Sequence, residues 1–145
     1  MPRFTGISHV ELTVTDPART AEWWERVLRF RRVHQFQQDG FGGIAMLHPS
    51  GVSVNVLSHS TTGSELFDER RVGLDHLSFA VASPEEMAAW AEHLDVCGVE
   101  HSGIIEAHFG PTVVFRDPDN IQLELFAQAP DAIDRIASDP AHIAV

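Results

Sequence analysis

Two segments of the chain, residues 6–17 and 73–84, share one pattern of hydrophobic and polar positions. Each starts with Gly, places a His three residues later, alternates apolar with polar residues and closes with Pro. His9 and His76 are 67 residues apart, and the closing prolines have the same separation. Alternation with a period of two is typical of a half-buried β-strand. We therefore predict that the chain contains one structural unit twice.

The elements after each of these strands are predicted in the same order. A helix capped by Asp16 covers residues 18–30, and a helix capped by Ser83, with Glu86 as its capping-box partner, ends near Cys97. The alternating segments that follow the helices are residues 31–38, 44–47 and 52–57 in the first half and residues 99–105, 112–115 and 121–126 in the second. Each half therefore has the order βαβββ, and the predicted fold class is α+β.

The predicted domain organisation follows from this repeat. The repeats occupy about residues 6–59 and 73–127, within one domain that covers residues 1–127. A polar and charged segment, residues 60–72, is predicted to link them. The tail, residues 128–145, has a short helical pattern between two prolines and is predicted to be partly helical. We expect the two βαβββ modules in tandem to form a curved, cavity-enclosing mixed sheet with the helices outside.

Composition and charge restrict the possible partners. The formal net charge is −11, and all ten basic residues are Arg. Nucleic acid and anionic membrane surfaces are therefore not expected as partners, because both require a basic face. No apolar stretch approaches the roughly 20 residues needed to span a bilayer, and the N-terminus lacks the apolar core of a signal peptide. With Cys97 as the single cysteine, the expected location is the cytoplasm.

The repeat also aligns four polar positions that suit a metal ion. His9 corresponds to His76, and Asn55 on the last strand of the first half corresponds to Glu124. In one curved sheet these four side chains would converge in its concave centre. Two imidazoles and a carboxylate suit a divalent ion with open coordination positions, and Zn, Ni, Mn and Fe(II) all accept this set. The alternative is that the histidines are surface or structural groups, as single strand histidines usually are.

Longer motifs around these residues resemble a known family. The run from His9 to Asp16, the pair Trp23-Trp24 on the first helix and the closing run over residues 115–125 resemble the vicinal oxygen chelate superfamily. That group includes glyoxalase I, bleomycin-resistance and fosfomycin-resistance proteins and extradiol dioxygenases. The resemblance implies that His9, His76 and Glu124 bind a divalent metal whose open positions hold two vicinal oxygens of a small-molecule substrate. It also implies a homodimer, since family members are commonly dimers.

Several residues depart from the family pattern. Glyoxalase I relatives usually have Glu or Gln where Asn55 stands, and Asn is a poor metal ligand and no base. Glu11 is on the same strand face as His9 and is a candidate general base, although a salt bridge with an Arg is an equal alternative. The chain has no Tyr, which argues against ring-cleaving dioxygenase chemistry. The further pocket candidates are Asn55, Ser78, Gln122, His59 and Arg116.

These observations leave several functions open. The first is a metal-dependent lyase, isomerase or transferase that stabilises an enolate or oxyanion of its substrate. The second is a metal-free protein that binds or sequesters a small molecule, as bleomycin-resistance relatives do. A fosfomycin-type thiol transferase would need a cationic pocket, for which Arg70, Arg71 and Arg116 are the local candidates. A dimer with a purely structural metal is the remaining alternative.

Overall fold

The two histidine segments belong to two separate compact units. The computed structural model describes residues 2–107 and 109–128. By their internal contacts, the chain up to Asp68 and the turn Asp117–Ile121 form the first unit. Glu69–Arg116 and the described residues from Gln122 to Gln128 form the second. None of the described helices is long and apolar enough to cross a membrane.

The first unit is a four-stranded sheet with one helix. Its elements are β1 (Val10–Thr13), α1 (Pro17–Leu28), β2 (Arg31–Gln38), β3 (Phe41–Leu47) and β4 (Ser53–His59). The strand order is β1-β4-β3-β2, with β1 parallel to β4 and the other pairs antiparallel. The Asp16 side chain accepts hydrogen bonds from the backbone N–H groups of Ala18 and Arg19, which confirms the predicted cap of α1.

Period-two alternation on β4 separates its core face from its polar face. Val54 and Val56 are fully buried, whereas Asn55 between them points to the other face. The helix contributes Trp24 and Val27 to the same core, both without exposed surface. Burying an aromatic side chain of this size supplies much of the apolar area that stabilises a small unit. The core therefore lies between α1 and one face of the sheet, and the opposite face carries the polar candidates.

The second unit repeats this plan. Its elements are β5 (Leu77–Ala80), α2 (Pro84–Val96), β6 (Ile105–Ala107), β7 (Gly110–Arg116) and β8 (Gln122–Phe126). The strand order is β5-β8-β7-β6, and β5 is parallel to β8. The Ser83 hydroxyl accepts a hydrogen bond of 3.3 Å from the backbone N–H of Glu86, which confirms the predicted N-cap of α2. The prediction of two βαβββ modules in tandem is therefore confirmed.

One local prediction is wrong. Residues 99–104 do not form a strand; they contribute one isolated bridge, and β6 begins only at Ile105. The chain turns there because Gly98 and Gly103 both have left-handed backbone angles, with φ of 68° and 70°. The glycine pair at 42–43 lies within β3. The predicted helical tail extends beyond residue 128, outside the described residues.

The turn Asp117–Ile121, which is part of the first unit, carries a buried aspartate, Asp119. The Asp119 carboxylate accepts hydrogen bonds from the Thr15 backbone N–H at 2.8 Å and from the Thr20 hydroxyl at 2.6 Å. The Arg19 guanidinium lies 3.3 Å from the same carboxylate. Burial alone would raise the pKa of Asp119, but the bonds from Thr15 and Thr20 outweigh it, and the pKa lies below its ordinary value.

A second buried aspartate, Asp117, shapes the same turn. Its Oδ1 accepts hydrogen bonds of 2.9 Å from the backbone N–H groups of Asp119 and Ile121. Its Oδ2 accepts a bond of 3.3 Å from the indole N–H of Trp24. Burial raises the pKa of Asp117 from 3.8 to about 6, because these bonds offset only part of the lost hydration. Asp117 is therefore a carboxyl group that the folded protein protonates more readily than the unfolded chain does.

Candidate functional site

His76 and Glu124 lie together in the second unit. The pairing of β5 with β8 places Ser78 opposite Glu124, and His76 is two residues before Ser78 on the same face. The distance from His76 Nε2 to Glu124 Oε2 is 3.2 Å. Nitrogen and oxygen ligands that each lie about 2.1 Å from one ion are separated by about 3.0–3.4 Å in octahedral or tetrahedral geometry. The pair is thus spaced as two ligands of one divalent cation would be.

Asp75 determines which nitrogen of His76 is available. The distance from His76 Nδ1 to Asp75 Oδ1 is 2.6 Å. An ionised carboxylate only accepts hydrogen bonds, so Nδ1 carries the proton in this contact. In the neutral ring Nε2 then keeps its lone pair, and Nε2 is the atom that faces Glu124. A carboxylate on the far nitrogen is the usual way in which proteins orient a metal-binding imidazole.

Asp75 is itself held by a chain of polar contacts. Gln122 donates to Asp75 Oδ1 at 3.4 Å, and the side-chain oxygen of Gln122 accepts from Arg116 at 2.9 Å. Arg116 also makes a two-pronged contact with Glu69, with both distances at 2.9 Å. The bond to Glu69 raises the pKa of Arg116. Gln122 and Arg116, two of the pocket candidates, therefore support the His76 side chain in this unit.

Thr112 on β7 holds the other oxygen of Glu124. The buried Thr112 hydroxyl donates a hydrogen bond to Glu124 Oε1. Glu124 Oε2 is the oxygen that faces His76. The two carboxylate oxygens thus have separate partners, one that anchors the side chain and one that is directed to the imidazole. The hydrogen bond from Thr112 fixes the Glu124 side chain, so that Oε2 is already oriented to bind a ligand.

The first unit contains a related but different group. His9 Nε2 lies 3.9 Å from Glu11 Oε1, and both side chains are about half exposed. Asn55 faces Glu11 across the β1–β4 pair and donates from Nδ2 to Glu11 Oε1 at 3.0 Å. The described partners of Glu11 are thus Asn55 and His9, and none of them is an arginine. Both predicted roles of Glu11, general base and salt-bridge partner of an Arg, stay predictions.

The remaining candidates have weaker support. His59 is exposed, and its ring centroid lies 5.8 Å from that of Phe41. Ser78 is exposed on β5 opposite Glu124. Over residues 2–107 and 109–128, no three His, Cys, Asp or Glu side chains form a group that fits a metal ion. Because His9 belongs to the first unit and His76 and Glu124 to the second, the ligand set His9, His76 and Glu124 stays a prediction.

Sequence reasoning missed three supporting residues, Asp75, Thr112 and Glu69. Asp75 had a usable signal, since it directly precedes the repeated histidine. Thr112 and Glu69 had none, because each meets its partner only through strand pairing or a long-range contact. Side chains that anchor a ligand from a neighbouring strand are set by register, which a single sequence does not reveal.

Solved structures of other proteins share this fold. A crystal structure of a glyoxylase/bleomycin resistance protein/dioxygenase domain from Frankia sp. EAN1pec is similar, with a TM-score of 0.82 and 35% identity over 88% of this chain and 100% of that one. FosX, a fosfomycin resistance protein from Listeria monocytogenes crystallised with Mn(II) and 1S,2S-dihydroxypropylphosphonic acid, shares the fold. Its TM-score is 0.68 and its identity 21%, over 90% of this chain and 95% of that one.

One curated relative and one family model complete the comparison. The putative ring-cleaving dioxygenase MhqA of Bacillus subtilis (strain 168) is 28% identical over 129 residues, which are 88% of this chain. The chain spans only 41% of the length of that relative. The model of the Glyoxalase/Bleomycin resistance protein/Dioxygenase superfamily matches residues 6–125. The chain therefore belongs to the Glyoxalase/Bleomycin resistance protein/Dioxygenase superfamily.

Proposed function

We propose that the chain is a divalent-metal-dependent enzyme of the glyoxalase-like type. Its substrate is a small molecule that binds the metal through two vicinal oxygens, and its reaction is of the lyase, isomerase or transferase class. The observation that carries the proposal is the His76–Glu124 pair, with Nε2 and Oε2 3.2 Å apart. Asp75 and Thr112 hold the opposite atoms of the two side chains. A cavity that only binds a small molecule has no need of such anchoring.

The proposed ligands are His76 and Glu124, with His9 as the predicted third. A divalent ion in this family would supply Lewis-acid stabilisation of an enolate or oxyanion. Asp75 keeps the His76 proton on Nδ1, and Thr112 keeps one Glu124 oxygen turned away from the imidazole. The Mn(II) bound in the FosX crystals supports a divalent ion on this fold. Zn, Ni and Fe(II) suit the same ligand types.

The alternative functions have less support from the described side chains. A phosphonate pocket would need a free cation, but the Arg116 charge is compensated by Glu69 at 2.9 Å. Ring cleavage is suggested by the description of the Bacillus relative, yet the chain lacks the Tyr that such enzymes use. A metal-free binding protein is less favoured, because the His76–Glu124 pair has the atom types and the spacing of metal ligands. The homodimer expected from the family remains part of the proposal.

Metal analysis of the purified protein tests this proposal. We expect bound divalent metal, or Mn(II) binding by the metal-stripped protein. His76→Ala and Glu124→Gln should each weaken binding at least tenfold, whereas His34→Ala, which changes an exposed histidine on β2, should bind like the wild type. If none of Mn(II), Zn(II), Ni(II) and Fe(II) binds, the proposal is refuted. The metal-loaded protein would next be assayed with methylglyoxal and glutathione and with other thiols.

A further inference from the structure

We infer that Glu11, rather than residue 55, provides the metal-binding carboxylate of the first unit, and that Asn55 is its positioning residue. The inference rests on the proposed metal-dependent function. It begins with strand register, because the two units use the same pairs of positions. Glu11 pairs with Asn55 between β1 and β4, and Ser78 pairs with Glu124 between β5 and β8. Position 11 thus corresponds to position 78, and position 55 to position 124.

The carboxylate therefore lies on a different strand in each of the two units. In the second unit it is on the last strand, at Glu124, and the first strand carries Ser78. In the first unit it is on the first strand, at Glu11, and the last strand carries an amide. Each histidine nevertheless has one carboxylate near its Nε2, at 3.2 Å from His76 and at 3.9 Å from His9. The first-unit distance is about 0.7 Å longer, a change that half-exposed side chains make by small rotations.

The support for residue 55 differs because β3 lacks the hydroxyl that β7 provides. Val114 pairs with Glu124 and Ala45 with Asn55, so the position of Thr112 corresponds to Gly43. A side chain does not fit at Gly43, since its Cβ would lie 2.7 Å from the Leu57 Cβ. A carboxylate at position 55 would thus have no hydroxyl donor from β3.

An amide at position 55 can instead support a carboxylate on the neighbouring strand. Because an ionised carboxylate only accepts, the Asn55 amide must present its Nδ2 to Glu11. Nδ2 donates to Glu11 Oε1 at 3.0 Å. The amide oxygen then points away, and this atom is buried without a hydrogen-bond partner. An unpaired buried acceptor lowers the stability of the folded protein. The contact that this amide orientation provides is the hydrogen bond from Nδ2 to Glu11.

A double-mutant cycle with Mn(II) titration of the metal-stripped protein tests the inference. Glu11→Gln keeps the shape of the side chain and removes its charge, and should weaken Mn(II) binding at least tenfold. Asn55→Leu removes the donor and should weaken binding several-fold. In the Glu11→Gln background, Asn55→Leu should change the affinity by less than twofold, because a positioning residue acts only through the group it holds. Equal affinity of Glu11→Gln and wild type would overturn the assignment.

The stability of the metal-free variants separates a positioning role from a structural one. Asn55→Leu also removes the unpaired buried oxygen, so its melting temperature should equal or exceed that of the wild type while its Mn(II) affinity falls. A lower melting temperature together with an unchanged affinity would show a structural role and overturn the inference. If Asn55→Leu does not fold, Asn55→Met gives the same comparison.

The same titration distinguishes this inference from the proposed function. One result would refute the role of Glu11 but support the metal site: the wild type and Glu11→Gln both bind Mn(II), and His76→Ala does not. If the wild type binds none of the tested ions, the proposed function and the role of Glu11 are both refuted.

Discussion

Replacing Asp117 by Asn should change how the stability of the protein depends on pH. Asp117 is buried, and its pKa is raised from 3.8 to about 6 in the folded protein. The folded state therefore binds this proton more tightly than the unfolded chain does. Its contribution to stability is fully present below the unfolded pKa of 3.8 and is lost as the pH rises through the folded pKa of about 6. The Asp117→Asn variant has no such proton to lose, so its stability should show no such decline.

The size of the effect follows from the two pKa values. A difference of about two units corresponds to about 3 kcal/mol, at about 1.4 kcal/mol per unit. About 2 kcal/mol of this is lost between pH 4.5 and 7, because the unfolded carboxyl is already largely ionised at the lower value. The Asn side chain keeps an oxygen for the backbone N–H groups of Asp119 and Ile121. Its amide faces the Trp24 indole less well, but this penalty does not vary with pH.

Urea denaturation of both proteins across this pH range measures the effect. The free energy of unfolding of the wild type should fall between pH 4.5 and 7 by about 2 kcal/mol more than that of Asp117→Asn. The comparison removes the contribution of the histidines and the other carboxylates, since both proteins share them. Parallel pH profiles for the two proteins would refute the reasoning, because Asp117 would then ionise alike in the folded and unfolded states.

Three further substitutions test other contacts. Asp75→Asn should weaken Mn(II) binding about tenfold and shift His76 away from the Nδ1–H tautomer, which ¹⁵N NMR of the ring reports. Thr20→Val removes a hydroxyl donor to the buried Asp119 carboxylate at 2.6 Å, and urea denaturation should show a loss of about 2 kcal/mol. Gly43→Ala should lower the melting temperature by several degrees or more, because the added methyl group meets β4 within 2.7 Å.

Matched variants control these tests. Thr20→Ser keeps the hydroxyl and should retain more of the stability than Thr20→Val; equal losses would mean that packing, not the hydrogen bond, dominates. Gly63→Ala adds a methyl group where the nearest atom is 3.9 Å away, and should leave the melting temperature unchanged. If Asp75→Asn binds Mn(II) like the wild type, the contact with His76 does not orient the ring.

Elements whose signals are local in the chain were predictable. The caps of both helices came from Asp16 and Ser83, whose side chains bond to backbone groups two or three residues on. The strand over residues 31–38 was predicted with the bounds that β2 has. The prediction failed over residues 99–104, where apolar residues suggested a strand but two left-handed glycines turn the chain. Gly43 lies within β3, where the absence of a side chain permits close approach to β4.

The sequence by itself determined that a βαβββ unit occurs twice and that each copy has a histidine next to the start of its first strand. It did so because strand and helix periodicity and helix capping depend on neighbours within a few residues. Only the tertiary structure decided which groups support these histidines. Glu124 is anchored by Thr112, Arg116 by Glu69, and Asn55 turns its amide to Glu11. Those contacts depend on strand register and on packing between distant segments, which no local pattern specifies.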